Sequence, residues 1–206
     1  MRRTRSGSVA RVRFWAPAER AELRDLLDEL GPDAPTLNTR WRTADLAAHL
    51  VARERFTTMA RVRRQPFPAL VDRIRRGGLL PDEGRLGEAL HLLEFVVHRH
   101  DVLRAQPDHR AGEEPDPGLE TAVFEQLGRW AGFLGRRIPS GVGLLVRSYR
   151  HGAIDLRRGP VVLIVDGAPI ELALWLFGRV GAGRVTVERH GGGNDTVARV
   201  EASLRH

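Results

Sequence analysis

The chain contains no cysteine and no lysine. Without cysteine there can be no disulfide staples and no thiolate metal ligands, so a metal site must use imidazole and carboxylate donors. No run of about 18 apolar residues occurs, which argues against a membrane-spanning helix. The N-terminal stretch MRRTRSGSVARVRF is basic but has neither an apolar segment nor a small-residue cleavage site, so it does not read as a secretory signal. These absences lead to the expectation of a cytoplasmic protein with no membrane partner.

The missing lysine makes all 33 basic residues arginine, against 26 acidic ones, for a net charge of +7. Such uniform arginine, alongside abundant Gly and Ala, reads as the codon usage of a GC-rich genome rather than selection for phosphate contacts. Acidic residues are spread throughout, and no segment shows a one-sided arginine stripe with interleaved aromatics, so a nucleic-acid partner is not expected. The densest basic stretches are residues 1–13 and 61–64. A hydrophobic fraction of 42% is enough for a real core, and 206 residues make one or two domains.

The pattern predicts a disordered basic tail over 1–14, a four-helix bundle over 15–138 and a small α+β domain over 139–206. The first helix is expected over 16–30, opened by Pro17 and stopped by Gly31-Pro32. A second, with Thr43 as N-cap, is read as running through TADLAAHLVARERFTTMARVRR to about residue 64. PALVDRIRR makes a short helix ended by Gly77-Gly78. A long helix covers about 82–105, a polar, proline-rich loop follows over 107–118, and another helix covers about 118–137. Beyond Pro139, VGLLVRSY, AIDLR, PVVLIVDG and RVTVER read as strands, and IELALWLFGRV and TVARVEASL as helices. The fold class is therefore α+β.

The chemistry concentrates in HLLEFVVHRHD, residues 91–101. At about 100° per residue, His91, Glu94, His98 and Asp101 fall in one stripe of an otherwise apolar helix. Glu94 and His98, four residues apart, project together; a carboxylate and an imidazole suit zinc and similar divalent ions. A third ligand must come from another element, and His49, mid-helix among Leu46, Ala48 and Leu50, is the candidate. The small side chains of Ala47 and Ala48 would let two helices approach closely. The rival reading is a surface Glu–His pair. Asp101 is a candidate acceptor for a ligand imidazole N–H, or else the partner of Arg104 in a helical ion pair. Arg53, four residues after His49, is a candidate for binding a substrate or cofactor carboxylate, against the alternative of a solvated arginine. His91 reads as a fourth ligand, a pocket wall or a solvent-facing neighbour, and Trp41, Trp130 and Trp175 as packing anchors.

The segments GPDAPTLNTRWRTADLAAHLVARER and LLEFVVHRHDVLRAQP resemble those of the DinB-like superfamily of metal-binding four-helix bundles. Within it the chain is similar to the actinobacterial, mycothiol-dependent maleylpyruvate isomerase group, over nearly its whole length. That resemblance implies a DinB-like bundle in which His49, Glu94 and His98 hold a divalent metal, and the imidazole and carboxylate donors make zinc the preferred one. It also implies mycothiol as a thiol cofactor and metal-assisted transferase or isomerase chemistry. Having no cysteine, the chain would take its reactive sulfur from that small molecule. The alternative is a non-catalytic metal or small-ligand binding protein, and a homodimer is compatible with either. Where such relatives carry cysteine and glycine before the tryptophan, this chain has Asn38-Thr39-Arg40-Trp41, so that loop implies no catalytic residue.

Overall fold

Proline at a helix start and glycine at its end delimit α1 (Ala16–Leu30): Pro17 supplies a helical φ where no N–H partner is needed, and Gly31, at φ 74°, turns the chain out. The computed structural model describes residues 13–81, 83–107 and 115–205, so most of the expected basic tail and of the proline-rich loop lies outside the described residues. The free amides of Trp15 and Ala16 at the start of α1 donate to the buried Glu88 carboxylate at 2.8–3.0 Å. That contact satisfies the amides left over at a helix N-terminus and places a negative charge at the positive end of the helix dipole.

The second helix departs from the expectation at both ends. α2 is Thr43–Glu54, with Arg42 rather than Thr43 at the N-cap. The Asp45 carboxylate accepts from the Arg42 amide at 3.0 Å, while the Thr43 hydroxyl donates to the Gly31 carbonyl at 2.5 Å and ties α2 to the end of α1. At the other end the helix stops ten residues short of the expected residue 64. The Phe56 amide bonds to the Arg53 carbonyl and the Thr57 amide to the Ala52 carbonyl, the paired closure of a Schellman C-cap. The left-handed residue of that cap, normally glycine, is Phe56 at φ 51°. Helix-like apolar spacing beyond residue 54 hid this stop, because no glycine marks it. A short α3 (Met59–Val62) and α4 (Phe67–Arg76) follow.

α5 (Gly84–Leu103) is buried on nearly every side, with Leu92, Phe95, Val96, Val97 and Val102 all in the core. α1 packs against it, as does α6 (Pro117–Leu134), which continues into a single 3-10 turn, Gly135–Arg137. The guanidinium of Arg20 on α1 bonds both Glu54 oxygens and the Ile74 carbonyl, and lies over the Phe95 ring, so one buried cation joins α1, α2, α4 and α5.

The rest of the chain forms β1 (Val142–Ser148), β2 (Gly152–Arg157), β3 (Val161–Asp166), α7 (Pro169–Leu176), β4 (Thr186–His190) and α8 (Thr196–Leu204). The sheet order is β2-β1-β3-β4, with β1 antiparallel to β2, parallel to β3, and β3 antiparallel to β4. Alternation puts Val142, Leu144, Val146, Leu163 and Val165 on the buried face. The fold class is mixed α+β with one four-stranded sheet. α7 packs on α5 and α6, and Arg104 of the segment after α5 grips both carboxylate oxygens of Glu171 on α7 at 2.8–2.9 Å. No helix among the described residues is long and apolar enough to cross a membrane.

Two outcomes follow from these junctions. Phe56 is 73% exposed, so Phe56→Gly removes the left-handed strain and forfeits little burial; chemical denaturation should show a gain of roughly 0.5–1 kcal/mol. Burial raises the Glu120 carboxyl to about 7, with the charge of Glu171 adding to it and the hydrogen bond from the Ile170 amide opposing. The folded state thus holds a proton that the unfolded chain releases near its ordinary value of 4.5. The associated stability is full below that pH and is lost as pH rises through about 7. Glu120→Gln should flatten the fall in melting temperature between those two values; an unchanged slope would show that another group causes it.

Candidate metal centre

His49 sits in the middle of α2, whose backbone packs against α4 rather than α5, so Ala47 and Ala48, both buried, do not bring α2 close to α5. The space between α2 and α5 is crossed by side chains. His49 Nε2 lies 3.0 Å from Glu94 Oε1, and His98 Nε2 lies 3.2 Å from the same oxygen. One ligand atom from each of the three residues falls within 4.8 Å of the others. Donors bonded tetrahedrally to zinc at about 2.0–2.1 Å would stand about 3.3 Å apart, so this N,O,N set fits a divalent ion with small side-chain movements. The surface-pair reading of Glu94 and His98 therefore fails: the His98 side chain is 8% exposed and that of Glu94 17%.

Burial alone would raise the Glu94 carboxyl. Hydrogen bonds from His49 and His98, together with the Arg53 charge, outweigh it and hold the group well below the usual carboxylate range. The site favours its ionised form. For His98, burial disfavours charge, but hydrogen bonds to Asp101 and Glu94 prevail and raise it above the ordinary imidazole value. Both ring nitrogens face carboxylate oxygens, Nε2 toward Glu94 and Nδ1 toward Asp101 at 2.9 Å. Positive charge is favoured there, whether from a second proton or from a divalent ion.

Asp101 is 1% exposed and is not paired with Arg104. Its carboxylate accepts from Arg179, which follows α7: Nε donates to Oδ1 at 2.7 Å and the Arg179 Nη2 group bonds the other oxygen. Burial raises this carboxyl, and the hydrogen bonds from Arg179 and His98 more than offset that, leaving it lowered. An ionised Asp101 accepts the Nδ1–H of His98 and leaves Nε2 as the metal-facing nitrogen. Arg104 instead holds Glu171 and donates to His100 Nδ1.

Arg53 lies 3.5 Å from the second Glu94 oxygen, within 3.2 Å of His91 Nδ1 and 2.7 Å from the Leu90 carbonyl. These contacts make it a fixed neighbour of the Glu94 charge rather than a solvated side chain. His91 is 2% exposed, stacks on Phe95 at 5.6 Å between ring centroids and lies outside the convergent donor group, so it is neither a solvent-facing neighbour nor one of the grouped ligands.

Two participants escaped the sequence reading. Trp41 packs its ring 5.0 Å from His49 and 6.5 Å from His98, centroid to centroid, and is thus a wall of the centre as well as a packing residue against the core. A bridge between Pro35 and Arg42, and the Thr36 hydroxyl donating to the Trp41 carbonyl, set the loop that delivers it. Its presence in the TLNTRW segment was the available signal. Arg179 gave none, being separated from Asp101 by 78 residues. Compared with protein-family models, curated proteins and solved structures, the chain matches none.

The geometry sets a hierarchy for substitution. His49→Ala and His98→Ala should each abolish stoichiometric metal by elemental analysis. Asp101→Asn keeps all three donors but weakens control of the His98 tautomer, so metal affinity should fall roughly 10–100-fold. Equal affinity in competition with a chromophoric chelator would show that Asp101 does not orient His98.

Proposed function

We propose that the chain is a divalent-metal-dependent enzyme of the DinB-like kind, acting with a small thiol, mycothiol, in transferase or isomerase chemistry. The observation that carries the metal assignment is the convergence of His49 Nε2, Glu94 Oε1 and His98 Nε2 within 4.8 Å. Zinc is the preferred ion, since two imidazoles and a carboxylate match its donor preferences. Three protein ligands leave a coordination position for another molecule, a pattern of catalytic rather than structural zinc sites. The side chain of His49 is 28% exposed, so the group is not sealed.

The chain's own residues have separable tasks in this reading. Glu94 supplies the negative charge, and Arg53 offsets part of it on the oxygen facing away from the imidazoles. Asp101 keeps the His98 Nδ1 proton in place, with Arg179 holding Asp101. Trp41 presents a flat apolar wall beside two of the donors. A divalent ion held by these residues supplies a Lewis-acid centre that lowers the pKa of a thiol bound to it. The thiol is supplied from outside because the chain has no cysteine. Support for mycothiol in particular comes from the resemblance of residues 31–55 and 92–107 to segments of the mycothiol-dependent group, and the same resemblance supports a DinB-like arrangement of the helices.

Cobalt substitution tests the proposal. Mycothiol titrated into the cobalt protein should bring up a saturable sulfur-to-cobalt charge-transfer band in the near ultraviolet. A protein that holds stoichiometric cobalt yet gives no band at saturating thiol is a metal-binding protein without thiol chemistry. One that holds no cobalt lacks the centre altogether.

A further inference from the structure

A second concavity lies where α2, α3 and α4 meet, away from the three metal donors. We propose that it binds a small phosphorylated molecule carrying a planar ring, of about mononucleotide size. Its volume is ≈ 470 Å³. That falls within the range of small-molecule sites, roughly 300–1,000 Å³. Val62, almost fully buried, lines it together with the polar side chains of Arg55, Thr57, Arg61, Gln65 and Arg73, and with Phe56.

Some arginines near this cavity have acidic partners: Arg63 pairs with Asp45, and Arg75 and Arg76 with Asp72. Arg55, Arg61 and Arg73 have none among the described residues, and no carboxylate lines the cavity. Thr57 and Gln65 likewise leave a hydroxyl and a side-chain amide uncommitted among the described residues. Three guanidinium groups without counter-charge around one hollow create a local positive potential. Their planar forks match phosphate oxygens, two bonds at a time.

Phe56 supplies the second half of the recognition. It takes the left-handed position of a helix cap where glycine would be unstrained, and it leaves its ring 73% exposed. Neither choice helps folding. An aromatic held on a fixed turn beside three arginines offers a stacking face for a planar ring, and local strain of this type is concentrated at functional positions.

Calorimetric titration of the full chain at low ionic strength with AMP, ATP, adenosine and inorganic phosphate tests this. AMP or ATP should bind saturably, and adenosine and phosphate alone should bind at least about tenfold more weakly. Arg61→Gln and Arg73→Gln should each lower nucleotide affinity about tenfold or more, as expected for loss of a charge-assisted hydrogen bond. Phe56→Ala should weaken AMP several-fold and leave phosphate affinity unchanged. Arg64→Gln, an exposed arginine outside the cavity, should change nothing. All these side chains except that of Arg73 are exposed, and circular dichroism on each variant verifies the fold. The proposal is overturned if no phosphate compound binds saturably up to millimolar concentration. It is equally overturned if Arg64→Gln weakens binding as much as Arg61→Gln does. An oligonucleotide bound far more tightly than AMP, with steep salt dependence, would replace the small-molecule site with a nucleic-acid surface.

Discussion

A single buried carboxylate, that of Asp101, holds the candidate centre and the C-terminal part of the chain in one arrangement. An ionised group with almost no contact with water must be paired and hydrogen-bonded to survive folding. Asp101 satisfies that demand with His98 on its own helix and Arg179 beyond α7, while its backbone carbonyl accepts the Leu37 amide at 2.8 Å. Three stretches distant in sequence therefore meet at one residue. The Leu37 contact fixes the loop that carries Trp41, and the Arg179 contact fixes the turn after α7. The contact that orients the His98 imidazole is also a constraint on how the sheet-containing half sits against the helices.

The surroundings of α5 explain why polar groups tolerate such a place. With α1, α6 and α7 packed on it and α2 facing it through side chains, α5 has almost no solvent face beyond its first turn. Every buried polar residue on it must then find a partner inside the protein. His91 meets Arg53, Glu94 meets His49 and His98, His100 meets Arg104, and Glu88 meets the start of α1. The stand-off between α2 and α5 is what leaves room for the donor atoms to converge; a close backbone contact there would have left none.

Arginine used throughout in place of lysine has a structural consequence. Among the described residues, four pairs grip both oxygens of a carboxylate with two nitrogens: Arg20 with Glu54, Arg104 with Glu171, Arg179 with Asp101, and Arg147 of β1 with Asp166 of β3. Lysine, a point charge on a flexible stem, cannot form that fork. Whatever produced the arginine bias, the fold uses it to tie helix to helix and the helices to the C-terminal half. The positive charge left over is sorted by the tertiary structure, which pairs some arginines with Asp45 and Asp72 and gathers others, unpaired, around the hollow beside Phe56.

Local pattern was enough to place α1, the strands and the last two helices, because proline, glycine and strict apolar alternation act within a few residues of themselves. It was also enough to single out Glu94 and His98, whose meeting is guaranteed by helical geometry alone, and to nominate His49. It misjudged where α2 ends, since a C-cap can be closed by backbone bonds around a phenylalanine that no rule of composition would choose. Periodicity could not reveal the burial of His91, the role of Trp41 or the choice of Arg179 over Arg104 as the partner of Asp101. Those are set by which segments become neighbours in space. A buried charge takes the best-placed counter-charge in the finished fold, and sequence separation has no bearing on that competition.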